Sequence, residues 1–461
     1  MRRIQKTATL LLAVLFMGGV SLKAQDVSTQ ADTLYITLEK ALEIALSENP
    51  TIKIADKEVE KTNYAKKEAI GNLVPSVAGS VSFQRTLKDG ATFMSGAMME
   101  KFMGLPPGSL PEVSSFRSPG LNNAYSAGVS VTLPLFSMGL YKNLQLADIN
   151  IQVALEASRE SKVALKNQVE VAYYVALLAE NSFDVMEVSM TNTENSYQNI
   201  KLKYEEGLVP EYDKISAEVQ VNNIRPSYIQ AKNNLLMADL QLKMLMGLPL
   251  DIVLVIEGDI EDYKDDYKKD EALYGYTLDG NTDMRRLDLQ EQLLRKQLQL
   301  QKTQRMPTLG ASFSYNFMTQ NSNFDFMHYV WYDMPTIGLS LNIPIFNGFT
   351  LKNKEKQTKV SIKQLQLQRD YVESGLNVQV RSSLNAMINA VEEMQSNTSS
   401  VSLAEKAYSI SKTRYDSGVG TLLEMNTAET ALTQAKLNYN AAIYSYMTAK
   451  SDYIKLLGNS F

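Results

Sequence analysis

The chain has 461 residues, a formal net charge of −5, one histidine and no cysteine. One histidine and no thiol exclude disulfides and metal clusters built on His or Cys within a single chain. The P-loop and the Gly-x-Ser-x-Gly motif, which mark nucleotide-binding and serine-hydrolase enzymes, do not occur in the sequence. The sequence therefore predicts neither an enzyme nor a protein with a resident cofactor.

The amino terminus has the pattern of a secretory signal peptide. Three basic residues precede an apolar run at 7–20, and small residues follow near Ala24. This order predicts a signal peptide over residues 1–24, with an N-terminal membrane anchor as the alternative. Cleavage after Ala24 makes Gln25 the first residue and leaves 42 basic against 51 acidic residues, a net charge of −9. Such an acidic chain does not favour nucleic acid as a partner.

The first half of the chain alternates helical and strand patterns. Thr37 can cap a helix that Asn49-Pro50 ends, and a second helix runs to about Gly71. The period of the apolar residues then changes to two, which predicts β-strands. The first structural unit is predicted over 25–256, with strands at 75–84 and 124–134 and a helical hairpin at 139–247.

The segment 85–123 between these strands is rich in glycine, proline, serine and methionine, which predicts a long loop. Its methionines include Met94, Met98, Met99 and Met103. Because thioethers suit Cu(I), a soft-metal site is one interpretation of this cluster. The other interpretation, an apolar surface loop that packs on its neighbours, is favoured because the chain offers no Cys and one His.

The second half repeats the order of the first. Asn49 and Asn281 each precede a helical segment, with a proline 26 positions further on. The motif Gly-x-Ser-x-x-x-Pro-x-Phe occurs at 128–136 and again at 338–346. These matches predict an internal two-fold repeat. The second unit is predicted over 281–461, with a helix, strands at 307–317 and 335–344 and a helical hairpin at 348–458, after a solvated, mixed-charge linker at 257–280.

The helices and strands each limit the architecture. A helix of about 65 residues is about 100 Å long, so it needs coiled-coil packing rather than a globular core. The strands alternate over about ten residues, as membrane β-strands do. Four strands are too few to close a barrel, and open sheet edges are costly in lipid. Membrane strands therefore predict an oligomer with a multiple of four strands.

Each hairpin turns at a glycine with the same surroundings. Gly207 and Gly418 each follow a tyrosine by three positions and precede an acid by six. Gly207 and Pro210 stand where a helix C-cap glycine and an N-terminal proline belong. The two turns are predicted to be equivalent tips of two antiparallel helix pairs.

With these features, nearly all of the chain after residue 24 resembles the TolC-type outer membrane efflux proteins. The resemblance rests on the two-fold repeat, the paired Pro-x-Phe elbows and the paired Tyr-x-x-Gly tips. It implies a mainly α-helical homotrimer, in which four strands per chain close into a twelve-stranded β-barrel in the outer membrane of a Gram-negative bacterium. It also implies a periplasmic tunnel of long antiparallel coiled-coil helices, whose tips dock on a periplasmic adaptor (a membrane fusion protein) and an inner-membrane pump.

The resemblance assigns roles to residues at the tips. Asp213 and Tyr415 correspond to a pair that holds the tip closed, and Glu424 corresponds to an acidic ring at the constriction. Thr427 stands where the family type member has a second acid, and Gly420 where it has an arginine. From the sequence alone, Asp213 and Glu424 are also interpretable as acids that favour a helix N-terminus. The segments that correspond to the adaptor-docking surface are Gly207, Leu208, Val209 and Pro210, and Gly418, Val419, Gly420 and Thr421.

The implied function is passive export of small molecules or polypeptides through the gated duct of a tripartite efflux or type I secretion system. The sequence specifies neither the cargo nor the class of pump. The alternative function is that of a structural or adhesive coiled-coil protein of the outer surface. The paired strands in each half favour the duct, because a stalk does not need them.

Overall fold

The computed structural model describes residues 33–87, 91–117, 121–269 and 276–458, and the predicted signal peptide lies outside them. The described helices are α1 (Leu38–Glu48), α2 (Pro50–Gly71), α3 (Gly96–Met103), α4 (Met138–Glu205), α5 (Glu211–Met246), α6 (Thr282–Thr303), α7 (Thr350–Asp416) and α8 (Leu422–Leu457). The strands are β1 (Thr33–Ile36), β2 (Ser76–Arg85), β3 (Ala91–Ser95), β4 (Val113–Arg117), β5 (Asn123–Phe136), β6 (Val253–Ile256), β7 (Thr308–Asn321) and β8 (Tyr332–Asn342).

Polar side chains begin the shorter helices, as the sequence predicts for α1. The Thr37 hydroxyl accepts a hydrogen bond of 3.4 Å from a backbone N–H in the first turn of α1. The amide oxygens of Asn49 and Asn281 accept equivalent bonds of 2.7 Å in α2 and 3.1 Å in α6. These bonds satisfy N–H groups that have no partner inside their own helix.

The long helices pack as a layer. Helices α4 and α7 contain 68 and 67 residues, so each is about 100 Å long. Helix α5 returns along α4, α8 returns along α7, and α4 packs on α8, which gives one half of the layer the order α5–α4–α8–α7. In the other half, α2 and α6 pack on α4, and α6 packs on α7. Within the described ranges, no helix has both the length and the apolar character needed to cross a bilayer.

The main core lies between these helices. On α4, the apolar residues that alternate in steps of four and three include Leu165, Val169, Ala172 and Ala176, and all four are buried. On α8, Tyr446 and Tyr453 are fully buried in the same core. The coiled-coil pattern in the sequence therefore corresponds to the buried faces of the long helices.

Strands β2, β5, β7 and β8 form an antiparallel sheet in that order. Strand β5 continues to Phe136, past a bulge at Pro134, and therefore extends beyond the predicted end of the strand. Directly paired residues share one face of a sheet. One row across the sheet contains Val77, Val131, Phe313 and Ile337, and the next row contains Ala78, Ser130, Ser314 and Thr336. The register therefore separates an apolar face from a more polar one.

The prediction of a long loop over 85–123 is wrong for much of that segment. Strands β3 and β4 pair antiparallel, and α3 lies between them. The Glu100 carboxylate holds the turn after α3, because it accepts hydrogen bonds from the N–H groups of Gly108 at 3.0 Å and Leu110 at 2.7 Å. This unit leaves no clear pattern in the sequence because its elements are short and lie among many glycines and prolines.

The methionines of this segment face different environments. Met99 is buried, whereas Met98 and Met103 are exposed. Met99 and Met103 are four positions apart on α3 and share one face of the helix, but only Met103 is open to solvent. Among its larger contacts, α3 packs on β3 and β4, so this unit packs mainly on itself.

The prediction of a solvated linker at 257–280 is also wrong for its described part. Ile260 is 1% exposed, and the ring of Tyr263 lies edge-on to Tyr174 at 5.4 Å. The Tyr173 hydroxyl donates a hydrogen bond of 2.6 Å to the Glu257 carbonyl, and the preceding strand β6 pairs in parallel with β1. The segment therefore packs on the long helices, and one of its acids, Asp266, pairs with Lys450 of α8 at 3.6 Å.

Candidate functional site at the helical tips

The first tip joins α4 to α5. Gly207 has a φ of +78°, a left-handed conformation that side chains with a Cβ rarely adopt. Its N–H donates to the Tyr204 carbonyl at 2.9 Å, and the Leu208 N–H donates to the Lys203 carbonyl at 2.8 Å. These bonds satisfy the last carbonyls of α4. Pro210 is the N-cap residue of α5, so the chain reverses within a few residues.

The second tip joins α7 to α8 in a similar way. Gly418 has a φ of +73°, and the N–H groups of Val419 and Gly420 both donate to the Arg414 carbonyl, at 2.9 and 3.0 Å. The Thr421 hydroxyl caps α8 by accepting a 3.2 Å bond from the backbone N–H three residues further on. The structure therefore has the two equivalent turns that the glycine positions predict.

A small apolar cluster joins the two tips. Its buried members are Ile200 of α4, Ala217 of α5, and Leu422 and Met425 of α8. This tip cluster is separate from the main core. The two regions therefore do not share buried apolar side chains.

Apolar side chains are also exposed at the tips. Leu208 and Val419, both predicted docking residues, are 69% and 72% exposed, and Leu423 is 75% exposed. Val209, another predicted docking residue, is half-buried because it packs on the tip cluster. Grouped exposed apolar residues are typical of protein interaction surfaces.

Comparison with known proteins identifies the family. A family model described as "Outer membrane efflux protein" matches residues 41–248 and 273–459. The chain belongs to this family. It is therefore an outer membrane export duct of a Gram-negative bacterium, and its family is one of channels and not of enzymes.

Individual relatives agree with this assignment. The chain is 23% identical over 352 residues to the outer membrane protein TolC of Escherichia coli (strain K12), which covers 74% of this chain and 70% of TolC. It is 22% identical over 335 residues to the alkaline protease secretion protein AprF of Pseudomonas aeruginosa. This match covers 71% of this chain and 68% of AprF. The fold is similar to the crystal structure of the CmeC outer membrane channel of Campylobacter jejuni, with a TM-score of 0.69 and 17% identity over 92% of this chain and 86% of CmeC.

In this outer membrane efflux protein, the predicted closing pair lies together at the tip. Burial raises the pKa of Tyr415, and the negative charges of Asp213 and Asp416 raise it further. The Lys203 Nζ lies 5.2 Å from the centroid of the Tyr415 ring, a cation–π distance. The structure thus brings Asp213 near Tyr415 and adds Lys203, which the sequence analysis did not select. The closing role of the pair stays a prediction.

The two predicted constriction residues have different contacts. The Glu424 carboxylate lies 3.8 Å from the Arg414 guanidinium, and both side chains are about half exposed. Arg414 thus brings a positive charge to this tip from α7. The Thr427 hydroxyl donates to the Leu423 carbonyl of its own helix at 2.7 Å. The roles of Glu424 and Thr427 in a constriction stay predictions.

The structure also identifies a residue that the sequence analysis did not select, Glu429. Its side chain is 7% exposed, and it follows the buried Met425 of the tip cluster by four positions on α8. That helical spacing was a signal in the sequence, but an acid at such a position is ordinarily read as part of a solvated face.

Proposed function

We propose that three copies of the chain form the exit duct of an export machine that carries small molecules or polypeptides out of the cell. The observation that carries the proposal is that both layers of the chain have open, apolar edges. A sheet and a helical layer that each end in uncovered apolar residues need further copies to cover them.

The sheet supports closure by copies of itself. Strands β2 and β8 are its two edges, and on the apolar face Val81 and Ile337 are 86% and 84% exposed. An apolar sheet with unpaired edges is not stable in lipid, because each unpaired backbone group costs several kcal/mol. Three copies supply twelve strands, enough for a closed barrel with its apolar face toward outer membrane lipid. Barrel closure alone requires a multiple of four strands and does not fix the number of copies. The family resemblance favours three.

The helices at the edges of the layer support the same assembly. Helix α5 lies at one edge and α7 at the other, and both bear exposed apolar side chains along their length. On α5 these include Ile215, Val219, Ile229 and Leu236, and on the part of α7 in the same half of the layer they include Ile388, Leu403 and Ile410. In the proposed trimer, α5 of one copy packs on α7 of the next, and the helices enclose a periplasmic tunnel.

The proposed internal repeat, with units at 25–256 and 281–461, is supported by matched contacts. Asn49 and Asn281 cap equivalent helices, and each also donates a 2.7 Å hydrogen bond to a carbonyl in the last turn of α5 or α8. Gly247 and Gly458 end those helices with φ values of +70° and +68°. In each unit, the same asparagine contact therefore joins the capped helix to the end of the hairpin.

The tips are the proposed docking surface and gate. The exposed Leu208 and Val419 suit an apolar contact with a periplasmic adaptor, through which an inner-membrane pump supplies the energy. Within the same proposal, Asp213 and Tyr415 hold the tips closed, and three copies of Glu424 line the constriction beside Thr427. A relative named for alkaline protease secretion makes polypeptides one candidate class of cargo.

Two measurements test the proposal against a surface stalk. Purified full-length protein added to planar bilayers is expected to give ion conductance, whereas a stalk gives none. A photo-crosslinker at a cysteine replacing Leu208 or Val419 uses the only thiol in the chain and is expected to capture an adaptor in living cells. The control is the same probe at Ile54, which is 69% exposed on α2. Absence of conductance, or equal capture from Ile54, contradicts the proposal.

A further inference from the structure

Glu429 occupies a position in helix α8 where a coiled coil ordinarily has an apolar side chain. It follows the buried Leu422 and Met425 on the same face, at the spacing that lines a helix core. The residue is 7% exposed, and its Oε1 atom has no hydrogen-bond partner in the described part of the chain. The carboxyl group interacts with the Asn192 side chain, but one of its oxygens lacks a partner, and burial of a charge that is only partly compensated is disfavoured.

Two cavities border Glu429 from different sides. One, of about 400 Å³, is also lined by Ser189 and Thr193 of α4 and by Gln220 and Asn223 of α5. The other, of about 410 Å³, lies between α4 and α7. Both have room for water, so a proton can reach the carboxyl group and leave it.

The titratable groups around Glu429 lie on α4 and α7. Those lining the second cavity are Lys203 and Glu206 at the end of α4, and Tyr408, Lys412, Tyr415 and Asp416 of α7. From α5, the residues that line the first cavity are neutral. Burial raises the pKa of the Glu429 carboxyl, and its interactions with Asn192 and Lys412 oppose this rise. Burial is therefore the larger influence on the group.

We propose that Glu429 is a proton-binding latch of the tips, neutral while α8 packs on α4 and α7, and ionised when these helices separate. The proposal rests on the proposed function in assuming that the tips have a packed and a separated arrangement. Proton uptake at one carboxyl oxygen gives a neutral acid and favours packing. Release of that proton to water leaves a carboxylate, which is better solvated in the separated arrangement.

The direction of the pH effect follows from the raised pKa. Well below the ordinary glutamate pKa of 4.5, both arrangements hold the proton, and pH does not change their ratio. As the pH rises above that value, the separated arrangement loses its proton first. The ratio of separated to packed tips then increases by up to tenfold per pH unit until the raised pKa of the packed arrangement is passed. Packing is therefore stabilised on the acid side.

The first half of the chain offers a matched control. Ala217-Glu218 on α5 corresponds in the repeat to Ala428-Glu429 on α8. Ala217 is buried in the tip cluster, but Glu218 is exposed. Glu218 therefore has the same position relative to its tip as Glu429 but is solvated. Its replacement is not expected to change the pH response.

The test measures the spacing of the tips without requiring a pore. Leu208→Cys and Val419→Cys introduce two thiols into a chain that has none, at residues that are 69% and 72% exposed. Spin labels there report the distance between the tips by double electron–electron resonance, with doubly labelled chains diluted into unlabelled full-length protein. The protein is measured in detergent from about pH 5 to about pH 8, a range above the ordinary glutamate pKa.

In the otherwise unchanged chain, the fraction of longer distances is expected to rise severalfold across this range. Glu429→Gln is expected to abolish this rise, so that the shorter distance is retained at all pH values. Glu429→Asp and Glu218→Gln are expected to preserve the rise. Lys412→Met gives an independent test, because loss of its charge raises the pKa of Glu429 further and moves the transition to higher pH.

The latch is contradicted if the distances do not change with pH, if Glu429→Gln keeps the pH response, or if Lys412→Met leaves the transition in place. These results do not bear on the duct, which is tested by conductance. Conversely, a protein that shows the pH-dependent spacing but no conductance would retain the latch and contradict the duct.

Discussion

The side-chain amide of Asn49 donates a hydrogen bond of 2.7 Å to the backbone carbonyl of Leu245. Asn281 makes the same contact with the carbonyl of Leu456, also at 2.7 Å. Each asparagine caps one helix with its oxygen and binds the last turn of another helix with its nitrogen. Both asparagines are buried. Water therefore does not readily replace the lost hydrogen bonds when either side chain is removed.

Asn49→Ala and Asn281→Ala are each expected to lower the free energy of unfolding by about 1–3 kcal/mol, because each removes a cap and leaves a buried carbonyl unpaired. Thermal unfolding of the purified protein measures the loss. The control is Asn63→Ala, since the exposed Asn63 amide donates only to the Val59 carbonyl of its own helix. A loss no larger than that of the control contradicts the structural role of the two asparagines.

Gly420→Ala is expected to disturb the second tip. A Cβ at this position would lie 3.0 Å from the Arg414 Cβ and 3.1 Å from the Arg414 carbonyl carbon, and forcing side-chain atoms into such a space costs about 1–3 kcal/mol. Hydrogen exchange measured by mass spectrometry should become faster in the segment 414–421.

The matched control for Gly420 is Gly375 in helix α7, where an added Cβ meets no atom within 4 Å. Gly375→Ala is expected to stabilise the helix by about 0.5–1 kcal/mol, because alanine loses less backbone freedom on folding. Equal effects of the two substitutions on exchange at the tip would show that close packing at Gly420 is unimportant.

Glu424→Gln is expected to reduce cation selectivity of the pore, because a ring of three carboxylates at a constriction attracts cations. Its effect on stability should stay below about 1 kcal/mol, since the pair with Arg414 is largely solvated. Reversal potentials in planar bilayers under a salt gradient measure the selectivity. The control is Glu405→Gln, an exposed acid of α7 that pairs with Lys436 of α8 at 3.1 Å. An unchanged reversal potential in Glu424→Gln would falsify the acidic ring.

Tyr173→Phe is expected to loosen the segment that follows β6. The lost hydroxyl leaves the Glu257 carbonyl without its 2.6 Å hydrogen bond, a loss of about 0.5–1.5 kcal/mol. Limited proteolysis between Glu257 and Lys269 should become faster. Tyr174→Phe is the control, because it keeps the ring contact with Tyr263. Equal cleavage rates in the two variants would contradict a role for the hydroxyl.

Local patterns predicted the elements but misjudged the segments whose structure depends on distant contacts. The hairpins were predictable because Gly207 and Gly418 each interrupt a long stretch of sequence with helical periodicity. The segment 257–280 was misread because its charges are adjacent in sequence, whereas Ile260 and Tyr263 are buried by helices that lie far away in the chain. The unit between β2 and β5 was misread because Glu100 organises it through two backbone bonds that leave no periodic signal.

The sequence by itself determined where the long helices, the four strands of the main sheet and the two tips occur, because periodicity, caps and glycine positions act within a few residues. It also determined that the strands have one apolar face, since alternation assigns successive side chains to opposite sides. Only the tertiary structure decided which acids are solvated. Glu218 and Glu429 occupy matching places after an alanine, yet only Glu429 is buried, because α4 and α7 cover that face of α8. Burial depends on which helices pack together, and that information is spread over the whole chain.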